Sequence, residues 1–242
     1  MMWPLFMIWA LMNGPADLPS LPQVPVLCYH NMVPEKHASN PFLFITPTQF
    51  REQMKGLRDS GYQSIHPDQL AAYILDGKPL PEKPVLISFD DTRTEHFYVA
   101  AGILQELRFR GTFFIMTVCI NKPRYLSSHE IKLLADSGHT VAAHTWDHPN
   151  LKTAHQPDWE KQLSAPRKTL EKITSRPVHH FAYPFGAWNS QVVEELQKAG
   201  YRTAFQLDQA MDPRMPAYTI RRIMVSGEWS AARLQEEMKK RF

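Results

Sequence analysis

Two carboxylates and three imidazoles in this chain could do chemistry together. Asp90 and Asp91 are adjacent at the end of the apolar run PVLISF. His144 and His148 lie four residues apart in VAAHTWDH, and His30 ends the run VPVLCYH. Taken alone, the histidine pair reads equally as a surface turn. The aspartates read equally as a strand ending in solvent, with one of them capping the next helix. Buried and unpaired, however, two such carboxylates would be costly. One carboxylate with two imidazoles makes the open three-ligand set of a hydrolytic Zn2+ centre. Such an ion makes water more acidic and polarises a carbonyl. The other carboxylate would act as a base, the cation setting the two pKa values apart. His30 is available to protonate a leaving amine.

Two other metal chemistries compete. A zincin helix needs Glu directly after its first histidine, and here that residue is Thr145. A two-His, one-carboxylate triad also suits Fe(II) oxygenases. Those sit in antiparallel sandwiches, and they leave the second aspartate without a role.

The elements that must position these groups alternate between strand and helix patterns. Strand-like runs are VPVLCYH, YQSI, KPVLISFDD, GTFFIMTVC, HTVAAH, HHFAYP, YRTAFQL and YTIRRIMV. Between them fall helical patterns. TPTQFREQMKGLRDSG begins with Thr46 as N-cap, Pro47 at the first helical position and Gln49 completing a capping box. SSHEIKLLADSG carries a second box, Ser127 with Glu130, and stops at Gly138. A helix is also expected over residues 159–173. Such alternation predicts parallel βαβ units, closed as a barrel that is distorted or incomplete, with a doubly wound open sheet as the alternative. In either fold the site lies at the C-terminal ends of the strands. Those ends are where His30, Asp90, Asp91 and His144 fall.

The chain has 242 residues, 43% of them hydrophobic and 21% charged, enough for one large domain with a sizeable core. Net charge is +3 and no Lys/Arg run stands out, the KKRF ending from Lys239 reading as a solvated helix end, which gives no support for nucleic-acid binding. It is compatible with weak attraction to anionic surfaces, and hence with peripheral association with a membrane or cell envelope. Cys28 and Cys119 are the two cysteines; both lie in apolar strand patterns and read as buried free thiols. Residues 1–20, MMWPLFMIWALMNGPADLPS, include an apolar run that suits a signal-peptide core and is short for a membrane span. A positive leading region is missing, since the first lysine is Lys36. The expectation is a signal peptide or N-terminal hydrophobic anchor, an extracytoplasmic location, and a folded domain over residues 21–242.

ISFDD, AAHTWDHPNL and FAYPFGAWN, in this order, resemble the motifs of the NodB-type polysaccharide deacetylases, carbohydrate esterase family 4. RGTFFI and DSGHTVAAH are similar to that family too, and the likeness runs from about Pro25 to Val225. The resemblance implies an α/β fold, a distorted (β/α) barrel of about seven parallel strands in a single domain. It implies a metal-dependent hydrolase that removes acetyl groups from an N-acetylated polysaccharide and releases acetate. By position Asp90 would be the general base, with Asp91, His144 and His148 holding Zn2+ or another divalent ion such as Co2+ or Ni2+. Thr145 matches a residue that supports the histidine loop. Tyr183 would offer its backbone N–H to the oxyanion, and Pro184 and Gly186 would shape that loop.

Three departures stand out. Ala182 occupies the place of a frequent arginine that orients the base. Thr92 stands where glycine often follows the aspartates. The usual late Leu-x-x-His is missing, and YTIRRIMVSG stands near the C-terminus instead. PVLCYHNMV, however, resembles a subgroup acting on poly-β-1,6-N-acetylglucosamine, whose catalytic-acid histidine comes from the first strand; here that is His30. Arg222 is the candidate to replace the missing arginine. Trp146, Phe185 and Trp188 are candidates to stack on sugar rings, while His139, His179 and His180 read as structural. Two alternatives remain at this point: a non-catalytic glycan-binding barrel, and a metal-dependent amidase acting on a small substrate.

Overall fold

The structure, a computed structural model, describes residues 23–34 and 40–242. The hydrophobic segment at residues 1–20 lies outside the described residues. The chain opens with β1 (Val26–Tyr29), the short β2 (Asn31–Met32) and β3 (Phe44–Ile45), α1 (Pro47–Asp59), β4 (Gln63–Ser64) and α2 (Pro67–Asp76). Then strands and helices alternate: β5 (Pro84–Phe89), α3 (Gly102–Glu106), β6 (Gly111–Ile115), α4 (Ser128–Asp136), β7 (Thr140–Ala143) and α5 (Ala165–Thr174). The last elements are β8 (His180–Ala182), α6 (Ser190–Lys198), β9 (Thr203–Phe205), β10 (Ile223–Met224) and α7 (Ala231–Arg241). Wider turns at His96–Ala101 and Glu160–Ser164 lead into α3 and α5. Among the described residues no helix is long and apolar enough to cross a membrane.

The central sheet runs β10-β1-β5-β6-β7-β8-β9, every pair parallel, with β4 added beside β5. Its strands are apolar on both faces, as a parallel sheet covered by helices requires. The sheet curls until its ends meet. Ile220 N–H donates to Ala204 O, Gln206 N–H to Ile220 O and Arg222 N–H to Leu207 O. The fold is therefore a distorted (β/α) barrel in one domain, not an open sheet. The same bonds correct the expectation of a full strand over YTIRRIMV. Only Ile223 and Met224 belong to a ladder with β1, because residues 220–222 give their backbone bonds to the other side.

Local chemistry sets most helix ends. Thr46 accepts from Gln49 N–H, and Ser127 and Glu130 form the expected reciprocal box. The Thr46 box is not completed, however: the Gln49 side chain donates to Trp229 O at 2.6 Å instead and ties α1 to the loop before α7. The same two helices touch where Gly56 leaves no side chain; a Cβ there would collide with that of Ala231.

Strand periodicity sorts the core. Odd-numbered residues such as Leu27, Ile87, Phe113 and Phe181 pack under the helices. Even-numbered Val26, Leu86, Phe114, Ala142 and Ala182, joined by Phe205 of β9, fill the barrel interior. Side chains alternate along a strand, so the inward column continues upward through Cys28 to His30, Ser88 to Asp90 and Ala142 to His144. The site residues are the last inward positions of their strands.

Candidate active site

Asp90 is 3% exposed at the end of β5. Arg222 is fully buried inside the barrel, and it donates from Nη1 to Asp90 Oδ1 at 2.7 Å and from Nη2 to Oδ2 at 2.8 Å. The fork is steadied from behind by Nε donating to Gln206 O at 3.0 Å. Burial alone would raise the Asp90 pKa. The Arg222 guanidinium, with His144 and His30 nearby, overcomes this and holds the carboxyl well below the usual carboxylate range. Cys28 Sγ lies 3.6 Å from Asp90 Oδ2, and burial pushes its thiol up, so it stands there as a weak S–H donor. Both cysteines are buried and free, as the sequence suggested.

Next to this pair, Asp91 Oδ1 lies 3.7 Å from His144 Nε2 and 3.6 Å from His148 Nε2. Ligands bound about 2.0–2.2 Å from one tetrahedral ion are about 3.3–3.6 Å apart. The spacing of these three donors therefore matches one divalent ion, and the donor set suits Zn2+. His144 Nδ1 donates to Ala182 O at 2.8 Å, which fixes the tautomer and leaves the Nε2 lone pair facing the aspartate. Burial lowers the His144 pKa against the pull of Asp90 and Asp91, keeping the ring neutral as a ligand must be.

The backbone carrying these groups is left-handed at several points: Asp91 (φ 76°), Thr92 (φ 61°), Thr145 (φ 63°), His148 (φ 66°) and Phe185 (φ 60°). Such residues persist only where the surroundings hold them. Thr145 does so for the histidine loop: its hydroxyl donates to His144 O at 2.5 Å and accepts from His148 N–H at 2.9 Å. Thr92 occupies its left-handed position, easier for glycine, by accepting the Met116 N–H at 2.7 Å. Gly186 (φ 64°) has no such freedom to change, because a Cβ there would meet Leu207 N at 2.7 Å.

His30 sits beside Asp90, a ring nitrogen of the one and a carboxylate oxygen of the other falling within 4.8 Å together with Cys28 Sγ. Its Nδ1 is buried and meets no partner among the described residues. Its backbone carbonyl accepts from His96 Nε2 at 2.6 Å, and burial holds His96 neutral with a pKa pushed down to about 4.

One expectation needs correction. The Tyr183 N–H donates to Phe205 O at 3.0 Å as part of the sheet, so it is not free for an oxyanion; its hydroxyl is turned to Tyr218 O. In the following turn Gly186 and Ala187 donate to Tyr183 O and Pro184 O, and proline has no N–H. That leaves the amide of Phe185, for which no acceptor is found among the described residues. The Phe185 ring is 62% exposed and stands 4.6 Å from the His148 ring. The tryptophans are less available. Trp146 carries the Lys161 ammonium 3.9 Å from its ring centroid, and Trp188 packs against the core.

The family described as "Polysaccharide deacetylase" matches residues 77–204, just over half of the chain, a span that includes the aspartate pair, His144 and His148. This chain belongs to the polysaccharide deacetylase family. It is 26% identical over 219 residues to the Bacillus subtilis (strain 168) protein YxkH, covering 90% of this chain and 75% of that one. A relative in Escherichia coli (strain K12), poly-beta-1,6-N-acetyl-D-glucosamine N-deacetylase, is 23% identical over 256 residues. That alignment covers 88% of this chain but only 38% of the relative. Among solved structures, the Streptococcus pyogenes deacetylase PplD in complex with acetate superposes with a TM-score of 0.82 at 21% identity. The overlap covers 89% of this chain and 98% of that one, which establishes the shared fold.

Against the family pattern, His30 and Arg222 lie outside the matched residues, one on either flank. Their strand segments are neighbours through β1 and β10, and that adjacency is what brings both to Asp90. Three contributors had no prior signal. Cys28 read as plain core, His96 lay in a helical pattern, and Gln206 acts through its backbone carbonyl, which any residue has.

Proposed function

We propose that this deacetylase is a metal-dependent hydrolase removing N-acetyl groups from an amino-sugar polysaccharide and releasing acetate. The observation that carries this reading is the pairing of a three-donor cluster, Asp91, His144 and His148, with a separate ionised carboxylate, Asp90, fixed beside it by Arg222. A divalent ion held by the three donors, Zn2+ or another such as Co2+ or Ni2+, would supply the Lewis acidity that polarises the amide carbonyl and makes water acidic enough to attack.

The chain's own residues divide the remaining work. Asp90 keeps its charge at neutral pH and takes the proton from the attacking water. Arg222 prevents its rotation and Cys28 steadies Oδ2. His30, beside Asp90, hands a proton to the departing amine. The Phe185 N–H is the amide placed to meet the developing oxyanion. The exposed Phe185 ring offers a sugar a flat apolar face.

The name of the Escherichia coli relative favours an N-acetylated polymer, and the acetate in the PplD structure is in keeping with acetate as the product. The apolar run at residues 1–20 supports placing the reaction outside the cytoplasm, at the cell envelope. The deciding experiment is acetate release from β-1,6-linked N-acetylglucosamine oligomers, chitin oligomers and peptidoglycan, with and without chelator. Chelator-sensitive release from at least one polymer is expected. No release from any of them by the Zn2+-loaded protein would overturn the assignment.

A further inference from the structure

A cavity of about 570 Å³ lies at the opposite end of the barrel, where the strands begin. Its walls include His66, Asp68, His139, Arg176, His179 and Arg202. These residues precede or open α2, α5's exit loop, β7, β8 and β9, and none takes part in the deacetylase site. The balance of charge is uneven. Asp68 is the one carboxylate on the wall, and it already stands 3.2 Å from His180 Nε2 and 3.8 Å from Arg202 Nη1. Against it are the guanidiniums of Arg202 and of Arg176, the latter 4.0 Å from Asp136 Oδ1, an exposed carboxylate outside the wall. Arg110 adds a third cationic group nearby, one whose charge helps depress His66 and His139.

The imidazoles add hydrogen-bond donors. His139 Nδ1 accepts the Gly111 N–H at 3.0 Å, which places the ring proton on Nε2. His66 Nδ1 lies 3.1 Å from Thr140 Oγ1. His179 Nδ1 is buried and has no partner among the described residues. A concave wall with two arginines, imidazole N–H groups and one engaged acid is complementary to a compact anion. The planar fork of arginine fits phosphate oxygens two at a time.

We propose that this cavity is a second binding site, and that it takes a small phosphorylated molecule, a phosphate monoester. Arg176 and Arg202 hold the phosphate, and His179 and His139 donate from the inner wall. The volume leaves room for the rest of a small ligand beside the phosphate.

The test is a titration of the full chain with inorganic phosphate against chloride at matched ionic strength. It is read by thermal unfolding and by equilibrium dialysis at 25 °C. Saturable binding and a rising unfolding midpoint are expected for the wild-type protein. Arg202→Gln should weaken binding at least tenfold, and Arg176→Gln, whose side chain is half exposed and outside the core, should do so too. Acetate release should be unchanged in both, so the result is independent of the deacetylase assignment. Absence of saturable phosphate binding by the wild-type protein would overturn the proposal. So would equal affinity in a folded Arg176→Gln protein.

Discussion

Arg222 grips both oxygens of Asp90 from a chain segment two strands away, β1 lying between them. Both partners are buried, so removing one leaves an uncompensated charge. Arg222→Gln should lower the unfolding free energy by about 3–5 kcal/mol. Arg222→Lys should also be impaired, because an ammonium cannot span two oxygens. Urea unfolding checks the first and acetate release the second. Wild-type values for both would contradict the pairing.

Asp90→Asn should keep the metal and lose turnover by about 10²–10⁴-fold, the usual contribution of a general base. Metal analysis alongside kinetics separates this from a binding defect. Retained activity would remove Asp90 from the chemistry.

His30→Ala should likewise lower turnover at unchanged metal content. A protein that instead loses its metal would place His30 among the ligands.

Zn2+ should raise the thermal unfolding midpoint of the chelator-treated protein and should fail to do so in His148→Ala, since binding to the folded state alone stabilises it. An equal rise in the variant would contradict the three-donor cluster.

Acid should weaken the fold before it touches most carboxylates. Burial pushes both His96 and His139 down to about 4, below the ordinary histidine value near 6.5. Between those values the unfolded chain takes up protons that the folded chain refuses, so stability falls as pH falls through that window and levels off below it. By pH 5 the loss should be about 2 kcal/mol for each histidine. Urea unfolding at pH 7 and pH 5 measures it. His139→Gln should narrow the difference, and an unchanged gap would remove His139 as a source.

Much of this was legible in the residues. Short apolar runs ending in polar residues placed Asp90 and His144 at strand ends, and the capping signals of Thr46 and Ser127 fixed two helix starts. The parallel barrel followed from the alternation of strand and helix patterns along the chain. What escaped was non-local or carried by the main chain. Nothing in YTIRRIMV shows that its backbone joins β9 before β10 forms, nor that Tyr183 N–H is committed to Phe205 O. The Gln49 amide could have closed its own helix cap, but Trp229 O, 180 residues away, was the better acceptor. Arg222 could be named as a candidate partner for Asp90, yet its bidentate grip depends on a strand order that the chain order does not reveal.

The Asp90–Arg222 contact spans 132 positions of the chain. Synthesis runs from the N-terminus, so the aspartate is made four helix-strand units, α3-β6 to α6-β9, before its counter-ion. Until then, closing the inner wall around it means burying a bare negative charge. The barrel thus has reason to stay ajar during synthesis, and the final segment acts as the latch that allows it to shut.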